Sequence, residues 1–141
     1  MKSGFSENTF IVEQPSKLNF EATVDSVISE AQKREWSIPA VHDLQQSLAK
    51  AGKNVKPVKV IEICKPKYSG QMLELSNERI VSVIMPCRIS VYEKDDGRVY
   101  ISLLNAGVMA KGFSDNIQNI IKASSDETFE IVKVATESGV I

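Results

Sequence analysis

VKVIEICKPKYSGQMLELSNERIVSVIMPCRISVYEKDDGRVYISLLN, residues 58–105, decides the fold. Val58 to Cys64 reads as a strand, with Val58, Val60, Glu62 and Cys64 in one phase and Ile61 and Ile63 in the other. Apolar residues in both phases predict a strand covered on both faces. Pro66 ends it, and Tyr68 to Leu75 is expected to form a short helix with Met72, Leu73 and Leu75 as its apolar residues. Ile80 to Glu93 reads as a long strand, broken or bulged at Pro86, because proline removes a ladder donor. Cys87, Ile89 and Val91 share one phase; Arg88, Ser90 and Tyr92 share the other. Lys94-Asp95-Asp96-Gly97 is a hairpin signal, since Asp-Gly supplies the positive φ of a tight turn. The return arm runs from Arg98 to Leu104.

Outside this stretch the pattern is simpler. Asn8 to Gln14 is a short β-rich run ended by Pro15, and residues 1–8 are polar. Ser16 is the expected N-cap of a helix reaching Glu35, whose apolar residues Phe20, Ala22, Val24, Val27, Ile28 and Ala31 recur at helical spacing. Trp36 to Pro39 reads as an extended link, because a proline biases its predecessor away from helix. Val41 to Ala51 reads as a second helix stopped by Gly52. After Asn105-Ala106-Gly107, Ser114 or Asp115 caps a final helix to about Glu137. Its inner stripe is Ile117, Ile120, Ile121, Ser124, Thr128, Ile131, Val132 and Ala135. Strands grouped between helices predict an α+β domain, a largely antiparallel sheet with two long helices across one face. The other sheet phase, with Ile84, Tyr92, Tyr100 and Leu104, is too apolar for open water, so a dimer partner is expected to cover it.

Composition narrows the function classes. The chain has 141 residues, enough for one domain with its own core. It carries 17 basic and 18 acidic residues, a balance that argues against a nucleic-acid partner. No apolar run is long enough to span a bilayer, and no apolar signal core follows Met1, so the cytoplasm is expected. There, its two cysteines, 23 residues apart, are expected to be reduced thiols.

The run from His42 to Asn105 also resembles the family named only as domain of unknown function 302. The similar segments are H-D-L-Q at 42–45, V-I-E-I-C-K-P at 60–66, M-P-C-R at 85–88, V-Y-E-K at 91–94 and D-G-R-V-Y-I-S at 96–102. The final helix after Met109 fits as well, so the resemblance spans roughly residues 8–137. It implies a β-α-β4-α layout similar to half of a TATA-binding protein, and a homodimer. The layout implies no DNA binding, since fold alone does not carry function. Cys64 and Cys87 look like those of a cysteine-bearing branch of the family.

The candidate site is Cys64 and Cys87, each beside a proline or kink and both expected in a phase that faces the core helices. Three readings compete: a paired-thiol site, for a soft metal or for redox work; two small buried hydrophobes; and a disulfide, which the expected compartment disfavours. Lys65 and Arg88 are placed to favour thiolates. His42 and Met85 are further candidate metal ligands, with Met109 behind them; thioethers would favour Cu(I) over Zn(II). Asp43 is placed to orient the His42 ring. Arg88 and Glu93 join Cys64, Cys87 and His42 as candidate ligand-binding residues, with Lys94 beside Arg88 for an anion and Glu62 as a second strand carboxylate. No G-x-S-x-G, H-E-x-x-H or nucleotide-binding glycine fingerprint is present. Three functions follow: a small homodimeric binding or sensing domain holding a metal or small ligand, a thiol-based redox enzyme, or a structural module with inert cysteines.

Overall fold

The computed structural model describes residues 10–74 and 77–136. Five strands form one antiparallel sheet: β1 Ile11–Pro15, β2 Ser37–Asp43, β3 Val58–Cys64, β4 Cys87–Glu93 and β5 Val99–Leu104. Their order across the sheet is β1-β5-β4-β3-β2, a meander from β2 to β5 with the first strand added at the far edge. Two long helices, α1 (Phe20–Lys33) and α5 (Asp115–Val132), pack on one face. Three short helices punctuate the connections: α2 (Leu44–Lys50), α3 (Pro66–Glu74) and α4 (Ala106–Met109). The α+β class and the β-α-β4-α layout are both realised.

The sheet alternates as strand geometry requires. Ile61, Ile63, Ile89, Val91, Ile101 and Leu103 point to the helices and join Val24, Val27, Ala31, Ile131 and Val132 in one core. A second core, of Met72, Val81, Ala110, Ile117, Ile120 and Ile121, sits under the other end of α5. The opposite phase stays half-exposed: Val60, Glu62, Ser90, Tyr92, Tyr100, Ser102 and Leu104 lie under neither long helix. β3 is therefore covered on one face only.

Four expectations are corrected. The link at Trp36–Pro39 and the start of the expected second helix are together strand β2, which pairs with β3 from Ser37↔Cys64 to Asp43↔Lys59 across an irregularity between Ser37 and Ala40. The alternation there was hidden by Pro39 and by that irregularity; as an edge strand, β2 tolerates a proline. Asp43, not the chain near Val41, opens α2, its carboxylate accepting from the Gln46 amide at 2.9 Å. Asn19, not Ser16, caps α1; Ser16 instead shares a buried hydrogen bond with Thr23, 2.7 Å. Finally, Arg79–Ile84 is a 3-10 helix, and β4 starts only at Cys87, after a cis Met85–Pro86 bond. Pro86 has no donor with which to extend the ladder.

The hairpin is as read, with Gly97 at φ 78° and its amide bonded to the Lys94 carbonyl at 3.0 Å. The inner stripe of α5 is buried throughout. The expected ends at Asn8 and Leu75 lie outside the described residues, and α5 stops at Val132, short of the expected Glu137; there the chain turns so that Thr136 bridges to Ser16.

Candidate functional site

The ladder brings the two cysteines to one end of the sheet. Cys87 stands opposite Ile63 in the β3–β4 register, so Cys64 is one residue further along β3. Cys87 shares the core-facing phase. Cys64 does not: by alternation it belongs with Glu62 and Val60. As the last residue of β3 it turns toward α3, where its sulfur lies 3.6 Å from Ser69 Oγ. The expectation that both cysteines share the core-facing phase is corrected to this extent. Both nevertheless border one narrow cleft, together with Met85, Pro86, Trp36 and Tyr68. Its free volume is about 20 Å³, room for a single water or a bare ion. Neither thiol is in a disulfide.

Burial pushes the Cys87 thiol up; the Ser124 hydroxyl, 3.7 Å away, lowers it in part, and the neighbouring Cys64 raises it again. Cys87 is thus a protonated thiol at neutral pH, unlike the depressed thiolate of a resting nucleophile.

A polar network absent from the sequence reading builds the cleft's outer wall. Glu127 on α5 accepts hydrogen bonds from Trp36 Nε1 at 3.1 Å, Lys65 Nζ at 3.0 Å and the Tyr68 hydroxyl at 2.7 Å. It ties the start of β2, the turn into α3 and the long helix to one carboxylate. Desolvation raises the Glu127 pKa, but the donors from Tyr68, Lys65 and Trp36 outweigh it and hold the carboxyl below its ordinary range. The same bond to Glu127 is the main reason the Tyr68 hydroxyl is pushed up to about 12. A helical period marks Glu127 as neither core nor plain surface; only the tertiary contacts reveal it.

The other sequence candidates separate from this cleft. His42 is on β2, opposite Val60, and its Nε2 lies 2.8 Å from Glu62 Oε2. Val60 is four residues from Cys64 along β3, about 13 Å at the usual strand rise. His42 therefore does not join the thiols, and Glu62, not Asp43, orients its ring. Arg88 points to the half-exposed sheet face, 3.8 Å from Glu62. Glu93 ends β4, six residues from Cys87, about 20 Å along the strand. Lys94 pairs with Glu13 at 2.9 Å. Met109 ends α4 and does not border the cleft. Among the described residues, no three His, Cys, Asp or Glu side chains gather as a metal cluster. No helix among them is long and apolar enough to cross a membrane.

A five-stranded antiparallel sheet backed by two helices, with a thiol cleft at one end, defines a small α+β domain. The sequence matches the family described as domain of unknown function DUF302 over residues 12–136, and the chain belongs to that family. Among solved structures it is similar to an uncharacterized conserved DUF302 protein from Bacillus stearothermophilus. The TM-score is 0.77 at 14% identity, over 88% of this chain and 96% of that one, a likeness of fold. No curated protein matches the sequence.

Proposed function

We propose that this protein is a small homodimeric binding or sensing domain whose Cys64–Cys87 cleft holds one soft metal ion. The observation that carries the reading is that two thiols and the Met85 thioether border a cleft of only about 20 Å³. That volume holds a water or a bare ion and leaves no room for an organic molecule. Two thiolates and a thioether form a soft, low-coordinate set, which favours Cu(I) over a four-coordinate zinc ion. Zinc would need a further ligand, and His42 is too distant to supply it. Binding would displace the Cys87 proton, so affinity rises with pH. A reducing, cytoplasmic setting would keep both thiols available.

The dimer part of the reading rests on the half-exposed sheet face. Val58, Val60, Tyr92, Tyr100 and Leu104 lie there side by side, with Ile11 more than half exposed at the β1 edge. A second copy on this face would bury that apolar surface.

The test is an anaerobic Cu(I) and Zn(II) titration, with thiol counting, of the wild type and of Cys64→Ala/Cys87→Ala. One Cu(I) per chain, lost in the folded double variant, is the expected result. No metal with two fast-reacting thiols would move the case to thiol redox chemistry. No metal with two slow thiols would leave inert core cysteines.

A further inference from the structure

A second, larger cavity adjoins the thiol cleft. Its free volume is about 50 Å³, and Met85, Cys87 and Ser124 form the wall common to the two. Apolar side chains line it: Ile84 from the 3-10 helix, Leu103 and Leu104 from β5, Ala106 from α4 and Ile121 from α5. A purely apolar void needs no occupant beyond packing. This one has polar groups that the protein itself does not satisfy.

Ser124 and Ser125 present their residues to the cavity from α5 and are only 5% and 7% exposed. The Ser124 hydroxyl has the Cys87 sulfur as its partner, a weak one. The Ser125 hydroxyl makes no hydrogen bond to a described residue; its backbone carbonyl accepts from Thr128 at 2.7 Å. A buried hydroxyl without a partner is costly, and native structures seldom keep one for nothing. Arg88, whose side chain leaves on the outer sheet face with Leu104, also borders the cavity. Its guanidinium makes no hydrogen bond to a described residue, and its one ionic neighbour, Glu62, lies at 3.8 Å while already engaging His42 at 2.8 Å. The donor fork is free for a planar anion.

We infer that this cavity binds a short-chain carboxylic acid carrying a second polar group, a hydroxy or keto acid of about three to five carbons, for a volume so far below a drug-sized pocket. The carboxylate pairs with Arg88, the short chain lies against Ile84, Leu104 and Ile121, and the hydroxyl or carbonyl oxygen meets Ser125. Carboxylate at the rim and apolar body inside is the arrangement that avoids burying a charge without a partner. The inference does not depend on the metal reading, since Cys64 does not border this cavity.

The test is an amide NMR titration of metal-free protein with three probes: 2-oxobutyrate, butyrate and butanone. 2-Oxobutyrate should give saturable shifts at Ala106, Ile121 and Ser125. Butyrate should bind about fivefold more weakly, the worth of one neutral hydrogen bond, and butanone about tenfold or more, the worth of a charged one. Arg88→Ala should bring 2-oxobutyrate down to the butanone level and butyrate below it. Ser125→Ala should make the two acids equal. Cys64→Ala should remove Cu(I) binding and leave all three affinities unchanged, which separates this site from the thiol site. Absence of saturable shifts in the wild type at millimolar probe, or an Arg88→Ala variant that binds both acids as before, would overturn the inference. Equal binding of the two acids to the wild type would overturn its second polar group.

Discussion

The Lys65 ammonium lies 3.0 Å from the Glu127 carboxylate, and both side chains are only 17% exposed. This pair settles what Lys65 does. Its sequence position beside Cys64 suggests a cation that favours the thiolate. In the fold its charge is matched by a carboxylate 62 residues away in sequence, which also gathers Trp36 and Tyr68. Lys65 thus fastens the cleft wall. Replacing Glu127 with Gln would leave the ammonium partly buried and without its counter-charge. The expected cost is about 2 kcal/mol in denaturant unfolding. Because the folded Glu127 carboxyl is held below its ordinary value of 4.5, its contribution is complete above that pH and fades as pH falls through the lower folded value. The difference between wild type and Glu127→Gln should therefore shrink in acid; a difference that grows in acid would contradict the assignment.

The tyrosines give a second test. Tyr68, through its bond to Glu127, and Tyr92, through burial and its bond to Glu13, are both pushed up to about 12. Tyr100 is raised as well, mainly by its bond to Asp96. A near-ultraviolet absorbance titration should find the folded protein with little tyrosinate at pH 10, where denatured chains are about half ionised. A raised folded value means that this contribution is fully present below pH 10 and is lost as pH climbs through about 12. Ionisation of all three tyrosines at the ordinary pH would contradict these bonds.

The two thiols should differ. Burial, more than any other cause, holds the Cys87 thiol above its ordinary value of 9.0. In Cys64→Ala, alkylation of Cys87 should therefore still be accelerating above about pH 9. Ser124→Ala removes the one side-chain hydrogen bond that lowers this value and should shift the profile further up. A profile that levels off near neutral pH would mark Cys87 as an activated nucleophile and favour the redox reading.

Core and surface should separate cleanly. Ile61 is 0% exposed at the centre of the sheet, and Ile61→Ala should cost about 3–4 kcal/mol by removing buried methyl groups and leaving a void. Val83, 83% exposed on the 3-10 helix, should tolerate alanine within about 0.5 kcal/mol. Equal effects at the two positions, measured by urea unfolding, would contradict the packing described.

Much of this fold is legible in the sequence, and the gaps have physical reasons. The α5 stripe from Ile117 to Val132 and the Asp96-Gly97 hairpin are strong local signals, and both hold. β2 is weak because Pro39 and an irregular pairing break its alternation; only its ladder with β3 makes it a strand. The β-branched run Ile80–Ile84 reads as a strand, yet Pro86 denies it a ladder and it coils into a 3-10 turn. At the site, Cys64, Cys87 and Met85 are found by residue type and position beside proline. His42 and Glu93 fall away because distance along a strand is invisible until the register is known. Glu127 acts through tertiary contacts that no spacing rule marks; the stripe places Ser124 inward, but its pairing with Cys87, like the local pairing of Ser69 with Cys64, shows only in the fold.

The proposed metal site is made of sulfur ligands, Cys64, Cys87 and Met85. X-ray absorption spectroscopy of the Cu(I)-loaded protein tests it most directly, with His42→Ala measured beside the wild type. A sulfur-only, low-coordinate shell at one Cu(I) per chain, unchanged in His42→Ala, is the predicted result. A nitrogen or oxygen ligand in the shell, or copper that binds without stoichiometry and survives Cys64→Ala/Cys87→Ala, would contradict it.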